Sequence, residues 1–202
     1  MCGLYLSPYL LIGQNIVPNP SFEQHIGCPY EQGAFELCSG WSYLLPNGGP
    51  SDFFHECDTT ELVGVPINAI GVQNAYNGVA YGGIYCYQQG IGDKRDYLQI
   101  ELNQHLTIGK VYNFSFYASL ADRSKYAVNG LGVLFSDTIL TAGNYNVLSV
   151  APNFVESTII DNKAEWIQIA GSLTSDGNEK YLIIGNFLDN ANQQRNLLND
   201  GD

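Results

Sequence analysis

The sequence predicts an all-β protein in which antiparallel strands pack as a β-sandwich. Apolar and polar residues alternate through the second half of the chain, which is the period of a half-buried strand. No long segment places apolar residues at helical spacing. Fourteen tyrosines and 22 glycines, with only 14% charged residues, suit strands and tight turns better than helices.

The alternation assigns the residues of each predicted strand to two faces. In "DYLQIEL" the apolar residues are Leu98, Ile100 and Leu102, with a polar residue between each pair. In "VYNFSFYAS" Tyr112, Phe114, Phe116 and Ala118 share one face, and Asn113 and Ser115 occupy the other. "LGVLF", "EWIQIAG" and "YLIIGNF" continue the series, separated by glycine-containing turns. We therefore expect two packed sheets with jelly-roll connections, and we place Trp41 and Trp166 in the core.

The chain has the length of one domain, which we expect to span residues 15–202. Residues 1–14 are expected to be the remnant of a signal peptide, because the run from Leu4 to Ile12 has the length of an apolar signal region and is too short to span a bilayer. A first β-strand is the alternative, since no Lys or Arg precedes Lys94. The end, "LDNANQQRNLLNDGD", is interpreted as a polar loop, so the last strand of the sandwich is expected to be missing through truncation.

The charge limits the partners that the chain can bind. Eight basic residues against 20 acidic ones give a net charge of -12 and a pI near 4.4. Such a surface repels phosphate backbones and anionic lipids, so we expect neither nucleic-acid binding nor membrane insertion.

The cysteines favour an oxidising compartment. Cys28, Cys38, Cys57 and Cys86 are an even set without the Cys-x-x-Cys spacing of zinc or redox motifs. Two disulfides are the expected use, although four buried thiols are the alternative. Four cysteines allow three connectivities, and we favour Cys28 with Cys57, leaving Cys38 with Cys86.

Several motifs occur in an order that resembles a known family. They are "NIVPNPSFE", "CP", "GW", "DFFHEC", "VGVPINAIGVQNAYNGVAYGGIY", the segment from "RDYLQIEL" to "GVLFS", and "YLIIGNF". Together they resemble an N-terminal surface module of secreted and outer-membrane-associated proteins of Bacteroidetes, often found upstream of an OmpA-like domain. The opening is also similar to galactose-binding-like jelly rolls, including several carbohydrate-binding modules, although their final Tyr/Ile-Asp-Asp strand is lacking. The resemblance implies an exported, cell-surface or outer-membrane-associated protein.

The resemblance also implies a role for Glu23. In galactose-binding-like modules a glutamate on the first strand often helps to hold a structural calcium ion, with backbone carbonyls and a carboxylate of the last strand. Ca²⁺ takes six to eight oxygen ligands of this kind. Glu23 matches that position, and the alternative is an ordinary hydrogen-bonded or solvent-facing glutamate.

A surface that binds carbohydrate needs aromatic rings to stack on sugars and polar side chains to bond hydroxyls. The loop-rich segment 52–87 offers both kinds of side chain, although tyrosines are also common in the packed faces of sheets. The candidate ligand-binding residues are Asp52, Phe54, Gln73, Tyr76, Tyr85 and Tyr87.

No catalytic motif is found in the sequence. The three histidines do not form a His-Glu-x-x-His pattern, and there is no Gly-x-Ser-x-Gly elbow. The acidic segment from Asp52 to Glu61 is interpreted as a solvated loop rather than a glycosidase pair, and "ADRSKYA" as a turn with local ion pairing. We therefore expect a non-catalytic, exported cell-envelope module that binds glycan or a surface polymer. The alternatives are a structural or adhesion domain with a protein partner and, less favoured, a glycoside hydrolase or esterase.

Overall fold

The computed structural model describes residues 13–44, 51–90, 92–142 and 147–198, so most of the segment expected to be a signal peptide lies outside the described residues. Apart from a 3-10 turn at Phe35–Leu37, the regular elements in these ranges are strands. The strands are β1 (Trp41–Tyr43), β2 (Asp52–His55), β3 (Ile67–Asn68), β4 (Gly71–Val72), β5 (Ala80–Gly83), β6 (Tyr97–Glu101), β7 (Val111–Ala118), β8 (Tyr126–Val128), β9 (Leu131–Ser136), β10 (Phe154–Val155), β11 (Ile167–Thr174), β12 (Tyr181–Asn186) and β13 (Arg195–Leu197). Among the described residues, no helix could cross a membrane.

Every strand pair of the structure is antiparallel. The largest sheet has five strands in the order β1-β6-β12-β9-β10. β7 and β11 form a separate sheet over eight residues each, and β2-β5, β3-β4 and β8-β13 form smaller ribbons. The predicted all-β, antiparallel architecture is confirmed and is consistent with a β-sandwich. The jelly-roll connectivity stays a prediction.

The main core lies between the five-stranded sheet and the β7-β11 sheet. Phe114 of β7 contacts the rings of Phe135 in β9 and Phe154 in β10, with centroid distances of 6.1 and 5.4 Å. An added Cβ on Gly171 of β11 would lie 2.6 Å from the Phe114 ring, so this position has no room for a side chain. Burying each large apolar side chain contributes roughly 2 kcal/mol. The alternation predicted for β7 is confirmed, with its Asn and Ser side chains exposed.

The other face of the five-stranded sheet is also covered. Tyr97, Leu134 and Ile183 project into a second cluster that the segments around Leu140 and Leu148 complete. Gln99, which alternation places opposite the main core, is only 2% exposed. Its amide compensates for burial by bonding the Leu140 backbone, accepting from the N–H at 2.8 Å and donating to the carbonyl at 3.3 Å.

The first motif of the chain is fixed by one asparagine. The Asn19 side chain donates to the Gln24 and Ser39 carbonyls at 2.9 Å and accepts the Gln24 N–H. The indole of Trp41 donates to the Asn19 carbonyl at 2.9 Å and is buried, as predicted. Trp166 differs, because it is half-buried against a smaller cluster around Phe54 and Tyr81.

The cysteine prediction is half right. Cys28 and Cys57 form a disulfide, which confirms the favoured pair. The second pair is wrong, because Cys38 and Cys86 are free thiols. Cys38 packs in the main core, whereas the backbone carbonyl of Cys86 accepts a hydrogen bond from the Gln193 side chain. The two cysteines therefore occupy different parts of the fold.

The final segment is not the loose polar loop that its composition predicts. Its strand β13 pairs with β8 in antiparallel register. The turn before β13 is held by Arg95, which is fully buried and donates to the Leu188 carbonyl at 2.7 and 3.1 Å. The same guanidinium reaches the side-chain oxygens of Asn190 and Gln193 at 3.0 and 3.3 Å. Hydrogen bonds to one distant arginine therefore order a segment with few apolar residues.

We expect thiol labelling to distinguish the two cysteine pairs. Under native conditions Cys38 and Cys86 should resist alkylation, because burial raises the pKa of each thiol to about 12 and keeps it protonated. After denaturation without reductant both should label, while Cys28 and Cys57 should appear in one linked peptide by mass spectrometry. A linked Cys38–Cys86 peptide would contradict the structure.

Replacing the buried guanidinium should destabilise the fold. We expect Arg95→Met to lower the free energy of unfolding by about 3 kcal/mol, because it leaves several buried acceptors without a donor. Denaturant titration measures the change. Lys110→Met is the matched control, since Lys110 is exposed. Equal stabilities for the two variants would show that the Arg95 hydrogen bonds do not hold the final segment.

Candidate functional site

Tyr76, the most exposed aromatic residue of the predicted ligand-binding segment 52–87, stacks on Tyr117 of β7. The rings of Tyr76 and Tyr117 lie 3.6 Å apart with an interplanar angle of 17°. Tyr76 is 55% exposed, so its ring retains a large area open to solvent. We call this pair the tyrosine platform. An exposed, immobilised ring is the group that stacks on the apolar face of a sugar.

The β3-β4 hairpin that leads to Tyr76 is docked by side chains of a distant turn. The Asp122 carboxylate accepts the Val72 N–H at 2.8 Å, and Arg123 donates to the Ala69 carbonyl at 2.8 Å. The backbone N–H of Arg123 also donates to the Ile70 carbonyl. The predicted ion pairing within "ADRSKYA" is therefore wrong for Asp122 and Arg123, which bind backbone groups of the hairpin instead.

The loop after the hairpin is fixed from two sides. The Ser119 hydroxyl donates to the Gln73 side chain at 3.2 Å, and the Trp166 indole donates to the Asn74 carbonyl at 2.8 Å. Ser119 follows β7 and Trp166 precedes β11, so the loop crosses the ends of both strands. These contacts hold Tyr76 in place over Tyr117.

The outer face of the β7-β11 sheet extends from the platform as a neutral polar surface. Directly paired residues on this face are Tyr117 with Gln168, Ser115 with Ala170, Asn113 with Ser172, and Val111 with Thr174. Each of these residues except Tyr117, which is half-buried, is exposed. Neither strand contains an Asp, Glu, Lys or Arg, and eight residues of strand span roughly 26 Å. Amides and hydroxyls in this arrangement can bond the hydroxyls of a neutral ligand.

The phenol of Tyr76 is protonated at neutral pH. Its interaction with the Tyr117 phenol raises the pKa of Tyr76 above the ordinary tyrosine value. The hydroxyl can thus donate a hydrogen bond as well as accept one.

The two candidates on β2 lie apart from this surface. Phe54 is fully buried and stacks on Tyr81 at 4.9 Å, so its ring presents no surface to a ligand. Asp52 accepts the Gly33 N–H at 2.7 Å, and burial raises the pKa of its carboxyl. Both residues are accounted for by structural contacts.

Tyr85 and Tyr87 belong neither to the tyrosine platform nor to β2, and each ring lies beside a cationic side chain. The Lys94 ammonium is 4.9 Å from the Tyr85 ring centroid, and the Arg195 guanidinium is 5.0 Å from that of Tyr87. Of the sequence-predicted residues, only Gln73 and Tyr76 belong to the tyrosine platform and its support.

In the acidic segment from Asp52 to Glu61, the carboxylate of Asp58 accepts hydrogen bonds from the backbone that follows it. Asp58 accepts the N–H groups of Thr60, Leu62 and Val63. Burial opposes its ionisation, but these hydrogen bonds lower the pKa of Asp58 overall. The carboxyl of Asp96 behaves differently, because burial raises its pKa to about 6.

Glu23 lies against the backbone of another loop. Its carboxylate accepts the Val79 N–H at 3.0 Å, and an added Cβ on Gly78 would overlap it. Gly78 has a φ of 73°, so both its conformation and its lack of a side chain suit this contact. Within the described ranges, no group of three or more His, Cys, Asp or Glu side chains could hold a metal ion. A calcium site at Glu23 would therefore depend on backbone carbonyls for its remaining ligands.

Comparisons with known proteins do not identify a family for this antiparallel all-β chain. No protein-family model, curated protein or solved structure matches it. The resemblance to the Bacteroidetes surface module stays a prediction.

Sequence reasoning missed half of the platform. The strand pattern assigns Tyr117 to a strand but cannot show its contact with Tyr76, which is 41 positions earlier in the chain. One signal was available: Tyr117 follows Phe116 and therefore falls on the same face as Asn113 and Ser115. An aromatic residue on an otherwise polar outer face indicates a surface contact.

Proposed function

We propose that this chain is a non-catalytic, exported module of the cell envelope that binds glycan or a similar surface polymer. The tyrosine platform and the outer face of the β7-β11 sheet are the proposed binding surface. The observation that carries the proposal is an exposed, stacked tyrosine at the end of a polar face without charged side chains.

The chemistry of this face favours a neutral ligand with many hydroxyl groups. Tyr76 offers its ring to the C–H groups of a sugar, and the amides of Asn113 and Gln168 offer donors and acceptors. Both amides are exposed, so a ligand would meet them without rearrangement of the sheet. An open face also accommodates a polymer, whereas a small molecule needs an enclosing cavity.

Export is proposed on the basis of the disulfide. The Cys28–Cys57 bond closes a separation of 29 residues and would not persist in a reducing cytosol. The cell envelope is an oxidising environment in which a glycan-binding surface meets its ligand.

Binding to an array of neutral glycans tests the proposed surface. We expect Tyr76→Ala to weaken binding to the recognised glycan about tenfold, the upper range for a lost aromatic contact, and Tyr76→Phe to retain most of the affinity. Tyr30→Ala is the matched control, because Tyr30 is 65% exposed and lies outside the platform.

Two results would count against this proposal. If Tyr76→Ala and Tyr30→Ala bind the glycan equally, the platform is not the binding surface. If the wild type binds no glycan but co-purifies with an envelope protein, the adhesion alternative is correct.

We also propose a structural calcium ion beside Glu23, on the basis of the resemblance and of the contact between this carboxylate and the Gly78–Val79 backbone. Millimolar Ca²⁺ should raise the midpoint of thermal unfolding of the wild type, because a ligand that binds only the folded state stabilises it. Glu23→Gln should lose this response while keeping an acceptor for Val79, and Glu36→Gln, an exposed control, should retain it. A wild-type midpoint that calcium leaves unchanged would refute the site.

A further inference from the structure

The exposed side chains of Arg195 and Leu197 lie beside two half-buried tyrosines at the β8-β13 ribbon. Leu197 is paired with Tyr126 in the ribbon, and Arg195 lies two positions before Leu197. Residues paired across strands and residues two apart project to the same side, so these three side chains share one face. Tyr87 lies on that face, because its ring contacts Tyr126 edge-on at 5.0 Å and lies 5.0 Å from the Arg195 guanidinium. We call these four residues the arginine patch.

The guanidinium of Arg195 is held in place before any ligand arrives. One of its nitrogens, Nη1, donates to the Asn190 carbonyl at 2.8 Å, and its Cζ lies over the Tyr87 ring. Asn190 is itself fixed by Arg95 and by the Asp93 carboxylate, which accepts its N–H at 2.7 Å. A guanidinium has five N–H donors in a rigid fork, so donors remain after the bond to Asn190.

Within the described ranges, no carboxylate pairs with this arginine. The chain has 20 acidic residues, yet none of those in the described ranges lies within ion-pair distance of Arg195. Lys180, by contrast, pairs with Glu101 at 2.6 Å. Arg195 is exposed, so its remaining donors face water that a ligand can displace. The net charge of -12 repels polyanions in general, but among the described residues Arg195 is a rigid cation without a carboxylate partner, and such a local cation can recognise a single external carboxylate.

We propose that the arginine patch binds the carboxylate of a uronic-acid residue in an acidic glycan. The fork of Arg195 matches the two oxygens of a carboxylate, and a single cation balances its single charge. The phenols of Tyr87 and Tyr126 supply hydrogen-bonding groups for the neighbouring sugar hydroxyls. Leu197, which is 66% exposed, supplies an apolar contact for the C–H face of the ring. The patch uses different residues from the tyrosine platform, so it does not depend on the function proposed for that platform.

Binding of polygalacturonate, with its fully methyl-esterified form as the uncharged comparison, tests this inference. We expect the wild type to bind the acid and not the ester, and Arg195→Gln to weaken binding at least tenfold. Arg195→Lys should also lose most of the affinity, because an ammonium keeps the charge but lacks the fork. Lys110→Gln removes the same charge from an exposed residue outside the patch and should bind as the wild type does.

The remaining outcomes would overturn the inference. Absence of wild-type binding, equal binding of the methyl ester, or equal losses for Arg195→Gln and Lys110→Gln would each do so. Equal binding of poly-glutamate would assign the patch to acidic peptides instead. Tyr76→Ala should leave binding of polygalacturonate unchanged, so failure of the neutral-glycan proposal and failure of this one remain distinguishable.

Discussion

A fully buried guanidinium, that of Arg95, is the constraint on which the final segment of the described chain depends. Among the described residues, no carboxylate lies within ion-pair distance of Arg95, so its charge is compensated by carbonyl and amide oxygens alone. Burial lowers the pKa of Arg95, but an arginine side chain remains protonated at neutral pH. The cost of burying this charge is offset only while the oxygens around it are in place, and most of them belong to one turn. The hydrogen bonds of Arg95 therefore fix the conformation of this turn, and the turn determines where β13 begins.

The tyrosine platform depends on the same kind of interaction between distant segments. Its loop contains few apolar residues, and contacts from Ser119, Asp122 and Trp166 fix it by bonding the hairpin and the residues after it. Such bonds are each worth about 1 kcal/mol in net stability, but each removes freedom from a loop that would otherwise be mobile. An aromatic ring held in this way loses little entropy when it binds a ligand. The two exposed surfaces of this protein are thus supported by polar contacts, to which the platform adds the packing of Ala75 against the cluster of Phe54, Val63 and Tyr81.

The sequence predicts what depends on neighbouring residues and misses what depends on distant ones. The strands are confirmed because strand period is a local property. The burial of Trp41 and the Cys28–Cys57 pair are also confirmed, although the disulfide joins residues 29 positions apart and no local pattern selects it. The partner of Tyr76 could not be predicted, since period two gives the face of Tyr117 but not what covers it. Alternation also failed to show that Gln99 is buried, because a polar residue on a strand reads as solvent-facing until a second layer is known to lie above it. Tyr85 and Tyr87 were chosen for their rings, whereas the cations beside them come from elsewhere in the chain.

The strong acidity of the chain is largely a consequence of how its loops are built. In the part of the chain that the structure describes, ten carboxylate side chains accept a backbone N–H, and these are Glu23, Asp52, Asp58, Asp93, Asp96, Asp122, Glu156, Asp176, Glu179 and Asp189. A loop-rich sandwich leaves many N–H groups outside its ladders, and short acidic side chains satisfy them. These carboxylates are therefore engaged with the backbone rather than arranged toward a cationic partner. The local charge pattern differs from the net charge: the paired strands that extend from Tyr76 contain no charged side chain, and Arg195 beside Tyr87 has no carboxylate partner among the described residues.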